Sequence, residues 1–118
     1  MTELIASLGA GKGTWEHLKR LIQQEEWEKI ILITNDFGKE NFKADKPIEF
    51  IVINKENLLP QLVEELKIKL KDKITGTEVG INLISGSGKE HMALLSALLK
   101  LGLAIRFVAL TIEGVKEV

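Results

Sequence analysis

Twice in this chain an apolar run without helical period breaks at a glycine-rich turn carrying a lysine and continues as a helical pattern. The first is Leu4-Ile5-Ala6-Ser7-Leu8-Gly9-Ala10-Gly11-Lys12-Gly13-Thr14-Trp15; the second is Ile81-Asn82-Leu83-Ile84-Ser85-Gly86-Ser87-Gly88-Lys89-Glu90-His91-Met92. Few folds accept that plan. A short, continuously apolar strand has to be covered on both faces, which asks for a parallel sheet between helices. The turns themselves are composed like anion sites. Glycine lets the backbone fold tightly and approach a ligand, and the free N–H groups and dipole of a helix start favour negative charge. Lys12 and Lys89 add a full positive charge to each. Taken alone, the second stretch is equally well explained as a plain strand-to-helix turn capped by Ser85 or Ser87. The repetition is what favours a ligand.

With 118 residues, 45% hydrophobic and 28% charged, the chain suits one domain over 1–118 with its own core. The net charge of -1 and a pI near 6.1 argue against a surface that holds duplex nucleic acid, so any anion must be held locally. Cysteine is absent, which removes a disulfide framework and a thiolate zinc site; neither metal nor cofactor is expected. Met1 to Leu8 carries Glu3 and runs straight into a glycine turn, without the basic and long apolar regions of a leader or a membrane span. A cytoplasmic protein is therefore expected. Abundant lysine, glutamate and isoleucine beside absent tyrosine and cysteine is a bias of proteins from hot environments.

In chain order, Glu3 to Leu8 reads as the first strand. A helix with Thr14 as N-cap follows, its stripe of Trp15, Leu18, Leu21 and Ile22 ending near Glu26. Lys29 to Thr34 is a second doubly buried strand. The polar segment Asn35 to Pro47 has room for a turn or two of helix around Lys39 to Phe42. Ile48 to Ile53 is the third strand. Asn54 or Asn57 caps a helix striped by Leu59, Leu62, Val63, Leu66 and Leu70, with Pro60 in its first turn. Its lysine-rich tail alternates with period two, yet the long stripe upstream keeps it helical to about Lys71. Val79 to Ile84 is the fourth strand, Lys89 to Lys100 a helix, Ala104 to Leu110 the fifth strand, and Val115 to Val118 a short antiparallel return after Gly114. The helix Lys89 to Lys100 is apolar on too many sides for a surface helix, which predicts a homodimer through it unless another element covers it.

Strands alternating with helices predict an α/β, Rossmann-like, doubly wound and mostly parallel sheet of order 3-2-1-4-5 in three layers. In that order strands one and four are neighbours, and the winding reverses between them. Ligands bind at such a reversal, beyond the carboxyl ends of the strands. The expected site therefore takes Ser7, Gly9, Ala10, Gly11, Lys12 and Thr14 from one loop and Ser85, Gly86, Ser87, Gly88 and Lys89 from the other. Asn35 and Asp36, after strand two, are placed to touch a sugar or base edge.

The spacing excludes the standard P-loop, which needs a glycine six residues before its lysine and a hydroxyl after it. Ala6 and Leu83 stand at the first position, Gly13 and Glu90 at the second. Gly9-x-Gly11 lacks the third glycine of a dinucleotide fingerprint, and Asp36 is a weak match to its ribose partner, so a mononucleotide- or NAD-binding subunit is an alternative with little support.

The whole chain resembles the CARF domains, the Rossmann-like sensors of cyclic oligoadenylate in CRISPR-associated defence. The resemblance is carried by the first strand with Gly9-Ala10-Gly11-Lys12-Gly13-Thr14, and by Asn82-Leu83-Ile84-Ser85-Gly86-Ser87-Gly88-Lys89 before an alanine- and leucine-rich helix. The second motif of that family usually reads Ser/Thr-Gly-Gly-Thr-Lys/Arg, a residue, then Met. Ser85, Gly86 and Lys89 match, Ser87 and Gly88 replace Gly-Thr, and Met92 falls one place late. The resemblance implies a homodimer with a symmetric ring ligand across its two-fold axis. Some members of the family also cleave the ring by attack of a ribose 2′-hydroxyl on the adjacent phosphate, without metal; Lys89 and Ser87 would then be catalytic, with Ser7, Lys12 or Thr14 as alternative partners of Lys89. No residue reads as a tuned base, which favours binding alone. His17 is expected on the solvent side of its helix, and His91 in the first turns of the later one. Neither Arg20 nor Arg106 begins the Arg-x4-6-His motif of effector nucleases, so a stand-alone member is implied.

Overall fold

The computed structural model describes residues 2–118 and contains a six-stranded sheet flanked by four helices. In chain order the elements are β1 (Glu3–Ser7), α1 (Trp15–Gln24), β2 (Lys29–Thr34), α2 (Asp36–Asn41), β3 (Glu49–Val52), α3 (Leu59–Lys71), β4 (Glu78–Asn82), α4 (Gly88–Lys100), β5 (Ala104–Thr111) and β6 (Gly114–Glu117). A 3-10 turn, Lys12–Thr14, precedes α1. The strand order is β3-β2-β1-β4-β5-β6, parallel except for the β5–β6 hairpin. This is the doubly wound 3-2-1-4-5 sheet with an antiparallel return, in three layers.

Period-two alternation along the central strands divides their side chains between two cores. Leu4 and Ala6 of β1 and Ile30 and Leu32 of β2 point to α1, where Trp15, Leu18, Leu21 and Ile22, with Phe42 at the end of α2, cover them. Ile5, Ile31, Ile33, Val79 and Ile81 point the other way, to Leu62, Leu66 and Leu70 of α3 and Ala93, Leu94, Ala97 and Leu98 of α4. Both faces of β1 are buried, and each fully buried aliphatic side chain contributes about 1.5–3 kcal/mol to holding the layers together.

Element ends differ from the sequence reading for local reasons. Thr14 makes no side-chain cap; the chain tightens into the 3-10 turn instead. Helix α2 begins at Asp36, three residues ahead of where composition placed it, because Asn35 Oδ1 accepts the Gly38 amide at 2.9 Å as an N-cap. Neither Asn54 nor Asn57 caps α3. Asn54 Oδ1 closes its own turn on the Glu56 amide at 2.9 Å, Asn57 Nδ2 donates to Glu65 Oε1 at 3.2 Å, and Gln61 Oε1 accepts the Leu58 amide at 3.1 Å. The lysine-rich tail is helical to Lys71. Strand β4 stops at Asn82, whose Oδ1 bends back to take the Ile84 amide at 3.1 Å. Helix α3 covers one side of α4, yet Met92 and Leu99 remain 60% and 67% exposed. No helix among the described residues is long and apolar enough to cross a membrane.

Candidate functional site

The parallel pairing of β1 with β4, Ala6 beside Asn82, brings their following loops together at the carboxyl edge. Ser85 joins them. The buried Ser7 hydroxyl donates to the Ser85 carbonyl, and the Gly9 amide donates to Ser85 Oγ at 2.8 Å. His91 Nε2 lies 2.8 Å from the same Ser85 carbonyl and so carries its proton on Nε2. Two glycines make the approach possible. A Cβ on Gly9 would sit 3.0 Å from the Gly86 nitrogen. Gly86 has φ +97°, and a Cβ there would stand 2.7 Å from Glu90 Oε2 and 3.2 Å from Ser7. Ser7 and Ser85, expected as ligand groups, form the frame of the site with these bonds.

The paired loops enclose an open concavity of about 530 Å³. Gly9, Ala10, Gly11, Gly13 and Thr14 line one wall, Ile84, Ser85, Gly86 and Ser87 the other, and Lys55 closes it from the β3–α3 loop. Lys12 and Lys89 do not line it. The Lys12 ammonium lies over the Trp15 and Phe37 rings at 5.8 and 5.7 Å from their centres, and Lys89 Nζ donates to the Lys55 carbonyl at 2.9 Å. Gly88 begins α4 beside them. Asn35, spent on its cap, and Asp36 line an adjoining concavity of about 520 Å³ with Asn54, Glu65 and, again, Lys55.

The two loops look alike in sequence and differ in electrostatics. At the start of α4, Ser87 Oγ accepts the Glu90 amide at 3.4 Å while Glu90 Oε2 accepts the Ser87 amide at 3.1 Å. This capping box spends two of the N–H groups an anion would use and sets a carboxylate under the turn. Glu90 is 5% exposed; its Oε1 has no hydrogen bond among the described residues, and the Lys55 ammonium stands 3.5 Å away. At the first loop neither the 3-10 turn nor α1 has a side-chain cap; the Gly9 amide is taken by Ser85 Oγ and the Trp15 amide by the Lys12 carbonyl, and the amides from Ala10 to Gly13 keep their capacity for an acceptor. Anion-binding capacity is therefore concentrated on the Gly9–Thr14 wall and on Lys55. Sequence reasoning missed Lys55, although the 3-2-1-4-5 order also brings the loop after β3 to the carboxyl edge. The Ser87-x-x-Glu90 spacing was the legible sign of the cap.

His17 is half-buried against β4 rather than on the solvent side. Its Nε2 lies 3.2 Å from Asn82 Nδ2, which also donates to the Val108 carbonyl at 2.9 Å. Facing an amide donor, Nε2 is the acceptor of a neutral ring, and burial lowers the pKa of His17 from its ordinary value. Asn82 is a buried polar side chain at the end of β4, and His17 is the helix residue that meets it.

A larger concavity, about 640 Å³, opens at the opposite, amino edge between Glu3, Trp27, Glu78, Arg106 and Glu117. Its polar floor is paired: Glu3 accepts the Thr75 and Gly76 amides, and Arg106 bridges Glu78 and Glu117 at 3.0 Å each. The glycine-loop concavity, with unspent amides and a lysine, is the better ligand site despite its smaller size. No protein-family model, no curated protein and no solved structure matches the chain.

Proposed function

We propose that this protein is a cytoplasmic, homodimeric binder of a cyclic oligoadenylate second messenger in CRISPR-linked defence. The observation that carries the reading is the junction at Ser85, which holds two glycine-rich, helix-starting loops together where the winding of the sheet reverses. That is where a doubly wound sheet receives a nucleotide phosphate, and the sequence resemblance to CARF domains supplies the ligand class. The adjoining concavity at Asn35 and Asp36 gives room and polar groups for a base or ribose beside the phosphate. Met92, half-buried Leu95 and Leu99 form an i, i+3, i+7 stripe on α4 that supports pairing with a second copy about a two-fold axis, the symmetry a ring ligand asks for.

The test is a calorimetric titration with cyclic tetra-adenylate and cyclic hexa-adenylate without added metal, followed by chromatography of the ligand. One intact ring bound per two chains is the expected result. Absence of both heat and a thermal shift with either ring would overturn the reading. Linear products would replace binding alone with metal-independent cleavage; Ser87 and Lys89, engaged in the cap of α4 and on the Lys55 carbonyl, give no sign of that activity.

A further inference from the structure

Lys55 is gripped at both ends by consecutive residues of the second glycine loop's helix. Lys89 Nζ holds its carbonyl at 2.9 Å, and the Glu90 carboxylate faces its ammonium at 3.5 Å. The Lys55 ammonium makes no hydrogen bond among the described residues, its side chain is 42% exposed, and it lines both carboxyl-edge concavities. Glu90 Oε1, by contrast, is buried and without a hydrogen bond. A carboxylate fixed under the turn opposes any phosphate above it unless a cation stands between them. All of a lysine's donors are available for that task, and its flexible stem lets the head turn from one partner to the other.

We infer that Lys55 is the principal phosphate-binding cation of this site and that Glu90 is its positioning residue, holding the ammonium at the mouth of the glycine-loop concavity until a phosphodiester anion shares it. The inference rests on the proposed function for the identity of the ligand and on the geometry for the role of Lys55. It assigns the charge recognition to the β3–α3 loop, where neither glycine motif lies. It also makes the two side chains interdependent. Without Lys55, Glu90 is an uncompensated negative charge beneath the ligand.

The test is a double-mutant cycle of Lys55→Gln, Glu90→Gln and the double variant, titrated with cyclic tetra-adenylate and, in parallel, with inorganic pyrophosphate. Glutamine at position 90 retains an oxygen for the Ser87 amide, and melting curves check that each variant is folded. Lys55→Gln should weaken both probes about 10- to 100-fold, the range of a lost charge-assisted hydrogen bond. Adding Glu90→Gln should recover a large part of that loss. Lys89→Ala should cost less than Lys55→Gln. Tight binding of the ring by Lys55→Gln would overturn the inference and leave the proposed function standing. Binding of pyrophosphate but not of the ring, with the Lys55 dependence intact, would keep the inference and overturn the ring ligand. Additive losses in the cycle would reject the coupling to Glu90, and binding of neither probe by the parent protein would overturn both readings.

Discussion

The Ser85 hydroxyl accepts the Gly9 amide at 2.8 Å, so turns separated by 76 residues of chain share one buried hydrogen bond. Neither partner has a substitute. Gly9 is buried and Ser85 is 3% exposed, so removing the hydroxyl strands a buried donor. Ser85→Ala should cost about 1–3 kcal/mol, the range for stranding a buried donor. Urea denaturation measures it directly. Under the proposed function, ring affinity should fall more than a distant variant of equal instability lowers it, because the same bond joins the two walls of the concavity. Unchanged stability would show that the loops are held by packing instead.

Gly86→Ala tests the same junction through the backbone. The residue adopts φ +97°, and a Cβ would stand 2.7 Å from Glu90 Oε2. The carboxylate would have to leave the Ser87 amide, undoing the cap of α4 and moving Lys55 with it. A loss of about 1–3 kcal/mol in chemical denaturation is expected from the backbone conformation alone. Alanine at Gly88, with open space around its Cβ position, is the control that should cost much less.

The strands and their order were legible because the sequence writes a doubly covered strand as an unbroken apolar run, as in Leu4-Ile5-Ala6 of β1 and Ile30-Ile31-Leu32-Ile33 of β2, while β4 shows only Val79 and Ile81 around Gly80. The meeting of the glycine loops followed from that order alone. The cation of the site did not follow. Lys55 stands in a polar loop with no pattern around it, and what distinguishes it from the other surface lysines is that its carboxylate partner, Glu90, is buried and that it borders both carboxyl-edge concavities. His17 was misplaced because its neighbours Glu16, Lys19 and Arg20 are polar; the residue that draws it inward, Asn82, lies 65 positions away at the end of β4. Patterns of period two and 3.6 encode burial, whereas pairings between polar side chains on different elements depend on register and leave no periodic mark.

Protonation of His17 should destabilise the protein. The folded-state pKa is lowered by burial, so the unfolded chain binds the proton first as pH falls through the ordinary value of 6.5. The contribution of the neutral ring is fully present above that value and is lost progressively below it, toward the lower folded-state pKa. Protonation also turns the Nε2 acceptor into a donor facing the Asn82 amide. Unfolding free energies of the parent and of His17→Gln, measured from pH 7.5 down to pH 5 in denaturant, should diverge, with the parent losing the greater share. Parallel curves would remove His17 from the account.

The exposed stripe on α4 predicts an assembly that one charge can break. Met92 and Leu99 lie on the side of α4 that α3 leaves open, and Phe107, two residues beyond Ile105 on the same face of β5, is 41% exposed beside it in the sheet layer. Burying one such side chain is worth about 1.5–3 kcal/mol, and a two-fold interface counts it twice. Leu99→Glu brings two carboxylates together about the axis while touching nothing in the monomer core, since Leu99 is 67% exposed. Light scattering on size-exclusion fractions should give a dimer for the parent and a monomer for the variant, with melting behaviour little changed. Under the proposed function the variant should also bind cyclic tetra-adenylate far more weakly, because half of a symmetric ring's contacts would then come from the second copy. A parent protein that is monomeric at tens of micromolar, with or without the ring, would overturn the dimer, and a monomeric variant with full affinity would confine recognition to a single chain.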